Sequence, residues 1–235
     1  MSGDKLKLFL LKSSKFELGL LSVVALAILF SLELVFMVVP NERVMGAVQR
    51  IFYFHVGAAM ACYAQIAILF MVSVMYLISK KILWDQIAVA AGEVAALFCT
   101  IVLFSGMIWG HSAWNTWWRW EPRLVSFLVL WLLLLSYVLT RAFLQSEEKL
   151  QNFASIVGIL IAIQIPIVIF SIRLLTPQEQ LHPEVVANQG LKDYRFVVAL
   201  ISANLSVIAL GGLLLLYRVR QEFLKFELLI RKRLN

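Results

Sequence analysis

Six stretches of roughly 20 mostly apolar residues dominate this chain, and a helix needs about 20 such residues to cross a hydrocarbon core about 30 Å thick. They run Glu17–Val39, Ile51–Ser79, Gln86–Ile108, Leu124–Arg141, Phe153–Ile172 and Phe196–Tyr217. Membrane β-barrels also satisfy their backbone in lipid, but their strands are about ten residues long and alternate polar with apolar. Runs such as Leu124–Leu135 do not alternate. Composition agrees: 62% of residues are hydrophobic and only 15% charged, against about half and a quarter in an ordinary soluble domain. That excludes a soluble globular enzyme, a disordered chain and a secreted disulfide scaffold. Cys62 and Cys99 both lie inside apolar runs, which excludes a disulfide framework or thiolate metal cage. The expected fold is an all-α integral membrane protein with six transmembrane helices, one polytopic domain over residues 1–235. The first span is too long for a signal-peptide core, and no small-residue cleavage site follows Val39-Pro40-Asn41, so it is expected to be retained.

Lysine and arginine placement sets the expected orientation. The N-terminal tail, the 80s and 140s turns and the C-terminal tail carry fourteen basic residues; the opposite loops carry seven. Both termini are therefore expected in the cytoplasm of a cell (inner) membrane. The net charge of +7 mostly decorates that face and suits contact with the anionic headgroups of the bilayer; no nucleic-acid function is read from it. Three loops fall on the outer side: about Pro40–Arg50, Trp109–Arg123 and Arg173–Arg195.

The middle loop concentrates the chemistry. Five of the seven tryptophans (Trp109, Trp114, Trp117, Trp118 and Trp120) fall within twelve residues. An interfacial aromatic belt is one reading, but belts spread one or two rings per helix end. Trp114, Trp117 and Trp118 have the i, i+3, i+4 spacing of a helical face, so a short interfacial helix presenting a flat indole surface is expected, with Pro122 limiting its length. Such a platform suits a large flat apolar ligand, with the belt as the rival.

The three histidines, His55, His111 and His182, all belong to the outer half. A lone histidine is commonly structural, yet an ionisable group at membrane depth is expensive and usually functional, and His55 qualifies. Two imidazoles approaching one aromatic platform can supply both axial positions of a haem iron. Zinc is the competing use, but it wants three or four ligands. His111 is either an alternative ligand or a surface residue, the latter preferred. Arg50, Arg119, Arg123 and Arg173 lie on the same side, and the arginine fork pairs with carboxylates such as haem propionates. For Arg173, snorkelling at a helix end is the preferred reading.

The segment Trp-Gly-x-x-x-Trp-x-x-Trp-Trp-x-Trp-Glu-Pro-Arg-Leu (109–124) resembles the tryptophan-rich signature of the haem-handling proteins of cytochrome c maturation. Within them it is most similar to the CcmC family, with CcsA and CcmF carrying relatives of the motif. The resemblance extends over nearly the whole chain: six spans, a histidine opening the second helix, and another in the last outer loop. Glu121 stands where the family usually has aspartate, and Pro122 drifts toward the CcsA-like form. The resemblance implies that haem b, bound non-covalently and transiently, is held at the outer leaflet and presented to the haem chaperone CcmE. The ATPase and permease CcmA and CcmB, with the small membrane subunit CcmD, act as separate chains; no G-x-x-x-x-G-K-[ST] occurs here. It also implies His55 and His182 as axial ligands, Trp114, Trp117, Trp118 and Trp120 with Trp109 as platform, and Glu121, Arg123 and Arg50 as positioning groups. Arg119 and His111 are further candidates.

Within the spans, Glu33 and Glu93 are expected to face the bundle, first as interhelical bonding groups. Gly106 and Gly110 form a small-x-x-x-small face suited to close helix packing. Two rivals to a non-enzymatic haem-presenting subunit remain open: a component of a haem–apocytochrome c ligase of the CcsA kind, and a b-type haem electron carrier.

Overall fold

The structure, a computed structural model, describes residues 14–42, 45–143, 148–174 and 193–234. Among these, six helices are long and apolar enough to cross a membrane. α1 (Ser14–Glu33) continues through a π-helical turn, Leu34–Val38; α2 is Arg50–Ser79, α3 Ile82–Trp114, α4 Pro122–Phe143, α5 Glu148–Ser171 and α6 Tyr194–Leu234. The chain is a multi-pass membrane protein.

α2 and α3 form the centre. They meet through small side chains, Ala58, Ala61 and Cys62 on one helix and Ala88, Ala91, Ala95 and Cys99 on the other, all buried. Without a hydrophobic driving force in lipid, such residues let backbones approach and gain dispersion contact. Both cysteines are free thiols in this interface. α6 and α5 pack on α2, α4 joins α3 to α5, and α1 leans on α6. α6 is 41 residues, about 60 Å at 1.5 Å per residue, and so outruns the bilayer. It opens with a side-chain cap: Asp193 Oδ1 accepts the Arg195 backbone N–H at 2.9 Å, and its carboxylate pairs with the Arg195 guanidinium at 2.6 Å. That pairing holds the Asp193 carboxyl below the ordinary carboxylate range.

Several polar side chains inside the spans bond across helices. Ser31 of α1 bonds Ser202 (2.8 Å) and Ser206 (3.1 Å) of α6. At the end of the bundle away from the tryptophans, Asp85 and Arg141 form a buried ion pair at 2.6 Å. Glu93 meets Arg218 of α6, with Arg218 Nη2 donating to Oε1 at 2.9 Å; the expected interhelical bond is present. Glu33 differs from expectation: it is exposed. Ser31 and Val35 occupy the α6-facing stripe of α1, and a residue two positions from Ser31 is turned about 200° away from it at 3.6 residues per turn.

The largest departure concerns the tryptophan loop. No separate interfacial helix forms. α3 continues six residues beyond the expected Ile108 and takes in Trp109 and Trp114. Nothing before Asn115 breaks the helix, since a single glycine at 110 is tolerated. Asn115 adopts a left-handed conformation (φ 53°, ψ 35°) and caps α3, a role that asparagine fills more readily than most residues. Trp114 is thus separated from Trp117 and Trp118 by the helix end, and residues 115–121 run without helical structure. Pro122 does not stop a helix but starts one, at the first position of α4, where its missing N–H costs nothing.

Candidate functional site

His55 sits in the second turn of α2, and α3 provides its seat. The Ser105 hydroxyl lies 2.9 Å from His55 Nδ1 and 2.7 Å from the Ile101 carbonyl. With the serine proton on the Ile101 carbonyl, which only accepts, the hydroxyl oxygen accepts from Nδ1–H. That arrangement is the Nδ1-protonated tautomer of the imidazole, with its lone pair on Nε2. Metal-ligating histidines are commonly oriented this way, by a second group accepting from the other ring nitrogen. Next to Ser105, Gly106 leaves room for the ring: a Cβ there would stand 3.2 Å from His55 Cε1. Gly106 therefore admits the His55 ring where α2 packs on α3.

The loop after α3 folds back over its end. Thr116 N–H reaches the Gly110 carbonyl at 3.5 Å, and a Cβ on Gly110 would be 3.0 Å from the Thr116 carbonyl oxygen. The return turns Trp117 and Trp118 toward α2. Together with α2, α3 and the start of α4 they enclose an open cleft of about 800 Å³ lined by His55, Trp109, Trp114, Trp117, Trp118, Arg119 and Arg123, with Tyr63 and Phe127 deeper in.

The indoles form a concave wall, not a flat shelf. Trp109 is buried, tilted 58° to the His55 ring at 5.8 Å and 48° to Trp114 at 5.6 Å. Trp118 meets Trp120 edge-on, at 78° and 5.9 Å. Trp120 is 77% exposed and does not line the cleft. His111 stacks flat on Trp117, 4.1 Å between centroids and 5° between planes, outside the lining. Its role in the structure is to brace Trp117.

Of the charged residues, Arg119 and Arg123 line the cleft, whereas Glu121 is buried behind it with Arg119 Nε 3.7 Å from its carboxylate. Glu121 also stands just before α4, its carbonyl accepting the Val125 N–H at 2.9 Å, where a carboxylate is favoured by the helix dipole. Its extra methylene relative to aspartate reaches Arg119 rather than the cleft. Arg50 is on the far side of His55 and does not enter this cleft. Arg173 is exposed and lies over the Phe170 ring at 5.2 Å. His182 lies outside the described residues. Sequence reasoning missed Ser105 and the seating role of Gly106. No local signal marks them, because a serine inside an apolar helix usually bonds its own backbone and His55 is fifty residues away.

Comparison with known proteins points the same way. A family model described as "Heme exporter protein C" (CcmC) matches residues 5–233. Proteins of that name are similar to this chain in Paracoccus denitrificans (35% identity, 52% of this chain and 49% of the relative) and Bradyrhizobium diazoefficiens (28%, 79% and 71%). The one from Escherichia coli is 29% identical over 82% of this chain and 81% of its own length. Against the Paracoccus protein the match spans about half of the relative's length. With a family model spanning nearly its full length, the chain belongs to the heme exporter protein C (CcmC) family.

Proposed function

We propose that the chain holds haem in the tryptophan-walled cleft on the outer face of the membrane and presents it to the chaperone CcmE during cytochrome c maturation. His55 Nε2 supplies one axial bond and His182 the other. Haem is cargo here: two neutral imidazoles hold iron firmly yet reversibly, and an open cleft leaves a porphyrin edge accessible for transfer. Trp114, Trp117 and Trp118 contact the macrocycle over Trp109. Arg123 and Arg119 take the propionates, with Glu121 fixing Arg119 from behind. CcmA, CcmB and CcmD act as separate partners, and the chain is a haem-handling subunit, not an enzyme.

The observation that carries this reading is the seat of His55, its Nδ1 held 2.9 Å from the Ser105 hydroxyl, in the lining of a cleft walled by Trp109, Trp114, Trp117 and Trp118. Purified His55→Ala, His182→Ala and the double variant test it through haem occupancy. Each single variant is expected to lose bis-histidine absorption, and the double to lose haem. Normal spectra in the double variant would overturn the ligand assignment.

A further inference from the structure

Behind the His55 ring lies a second cleft of about 960 Å³, walled by Phe36 of the π-helical turn after α1, Val48 just before α2, Ile51 and Phe54 of α2, and Ile101 of α3. Among the described residues, His55 alone lines both clefts. Phe36 stacks on Phe54 at 6.4 Å and 18°, and Phe36 and Ile101 stay exposed, at 47% and 42%, so the groove faces sideways into the membrane. Arg50 stands at its rim, its guanidinium 5.8 Å from the Phe36 centroid. The only side-chain hydrogen bond the described residues give it is to the neutral Asn41 Oδ1, at 3.2 Å. Its buried Nε has no acceptor among them, and no carboxylate pairs with it there.

An apolar, membrane-facing groove with an arginine at its mouth that no described carboxylate pairs with matches a specific amphiphile: acyl chain within, phosphate on the guanidinium fork. We propose that this groove is a binding site for a single phospholipid of the leaflet on the tryptophan side, its phosphate on Arg50 and an acyl chain between Phe36 and Ile101. The chain then covers the rear of the His55–Ser105 pair, so that lipid occupancy supports the seat of the histidine from the side opposite the cargo cleft. The inference concerns a site separate from the tryptophan cleft and holds whether or not that cleft carries haem.

Native mass spectrometry of the detergent-purified protein, stripped of lipid and then titrated with dioleoylphosphatidylglycerol, tests it. Wild type is expected to bind one lipid tightly. Arg50→Gln should weaken that adduct about tenfold or more, the loss expected for a charge-assisted contact, and Val48→Trp should weaken it by filling the groove. Arg173→Gln, an exposed arginine elsewhere at this end, should leave it unchanged, and Arg123→Gln should lose haem while keeping the lipid. Equal lipid retention by wild type and Arg50→Gln would overturn the site. So would loss of haem from lipid-free Arg50→Gln as complete as from Arg123→Gln, because the groove would then be part of the haem site. Independent of any variant, wild type in phosphatidylglycerol nanodiscs should show acyl-chain density in the groove; porphyrin density or none there contradicts the proposal.

Discussion

His55 Nδ1 lies 2.9 Å from Ser105 Oγ, on the facing side of the α2–α3 pair, and the same hydroxyl stands 2.7 Å from the Ile101 carbonyl of its own helix. With the serine proton on that carbonyl, the hydroxyl accepts from Nδ1–H and leaves the imidazole lone pair on Nε2.

Removing that acceptor should release the tautomer. Ser105→Ala is expected to weaken haem binding about 10- to 100-fold, the usual cost of losing an outer-shell partner of a ligating histidine. Helix content and melting temperature should change little. Haem titration of the purified variant checks it; unchanged affinity would show that Ser105 does not orient the ring.

Gly106 should separate ligand binding from stability. Alanine is favoured over glycine in a helix by up to about 1 kcal/mol, yet its methyl would sit 3.2 Å from His55 Cε1. Gly106→Ala is expected to keep or raise the melting temperature while lowering haem occupancy, and Gly106→Val to lower occupancy further. Thermal unfolding and pyridine haemochrome content, measured on one preparation, give both signs.

The wall of the cleft needs aromatic faces rather than indole nitrogens, since the buried Trp118 Nε1 has no acceptor among the described residues. Trp118→Phe should hold haem within about threefold of wild type and Trp118→Ala about tenfold more weakly, as loss of ring contact area predicts. Equal loss in both variants would instead point to a hydrogen bond from the indole.

Far from the cleft, the buried Asp85–Arg141 pair ties the start of α3 to the end of α4. Arg141→Leu strands a buried carboxylate and should destabilise the fold by about 3–5 kcal/mol, with Asp85→Leu/Arg141→Leu recovering much of the loss. Thermal melts in detergent measure this, and the haem spectrum of whatever protein remains folded should be unaltered.

The fold was readable because lipid imposes a ruler: each span must be apolar and about 20 residues long, so all six helices stand out from hydropathy alone. The candidate site was readable in part. Trp109, Trp114, Trp117, Trp118, Arg119, Arg123 and His55 meet in one cleft, because their concentration at one end of two adjacent spans leaves them few other places to go. What escaped was local backbone geometry. The i, i+3, i+4 spacing of Trp114, Trp117 and Trp118 fits a helix, but Asn115 in the left-handed region ends it between them, and periodicity does not register a cap. Rotational phase escaped as well: Glu33 and Arg50 each lie near residues they turn away from, Ser31 in one case and the tryptophan cleft in the other. Ser105 was invisible because its importance comes from a partner on another helix.

The most direct measurement is the absorption spectrum of haem-loaded His55→Ala with and without added imidazole. Vacating one axial position while leaving the cleft intact should abolish the bis-histidine spectrum, and free imidazole occupying the vacated space should restore it. A His55→Ala protein that keeps the wild-type spectrum without imidazole would contradict the assignment of His55 Nε2 to the iron.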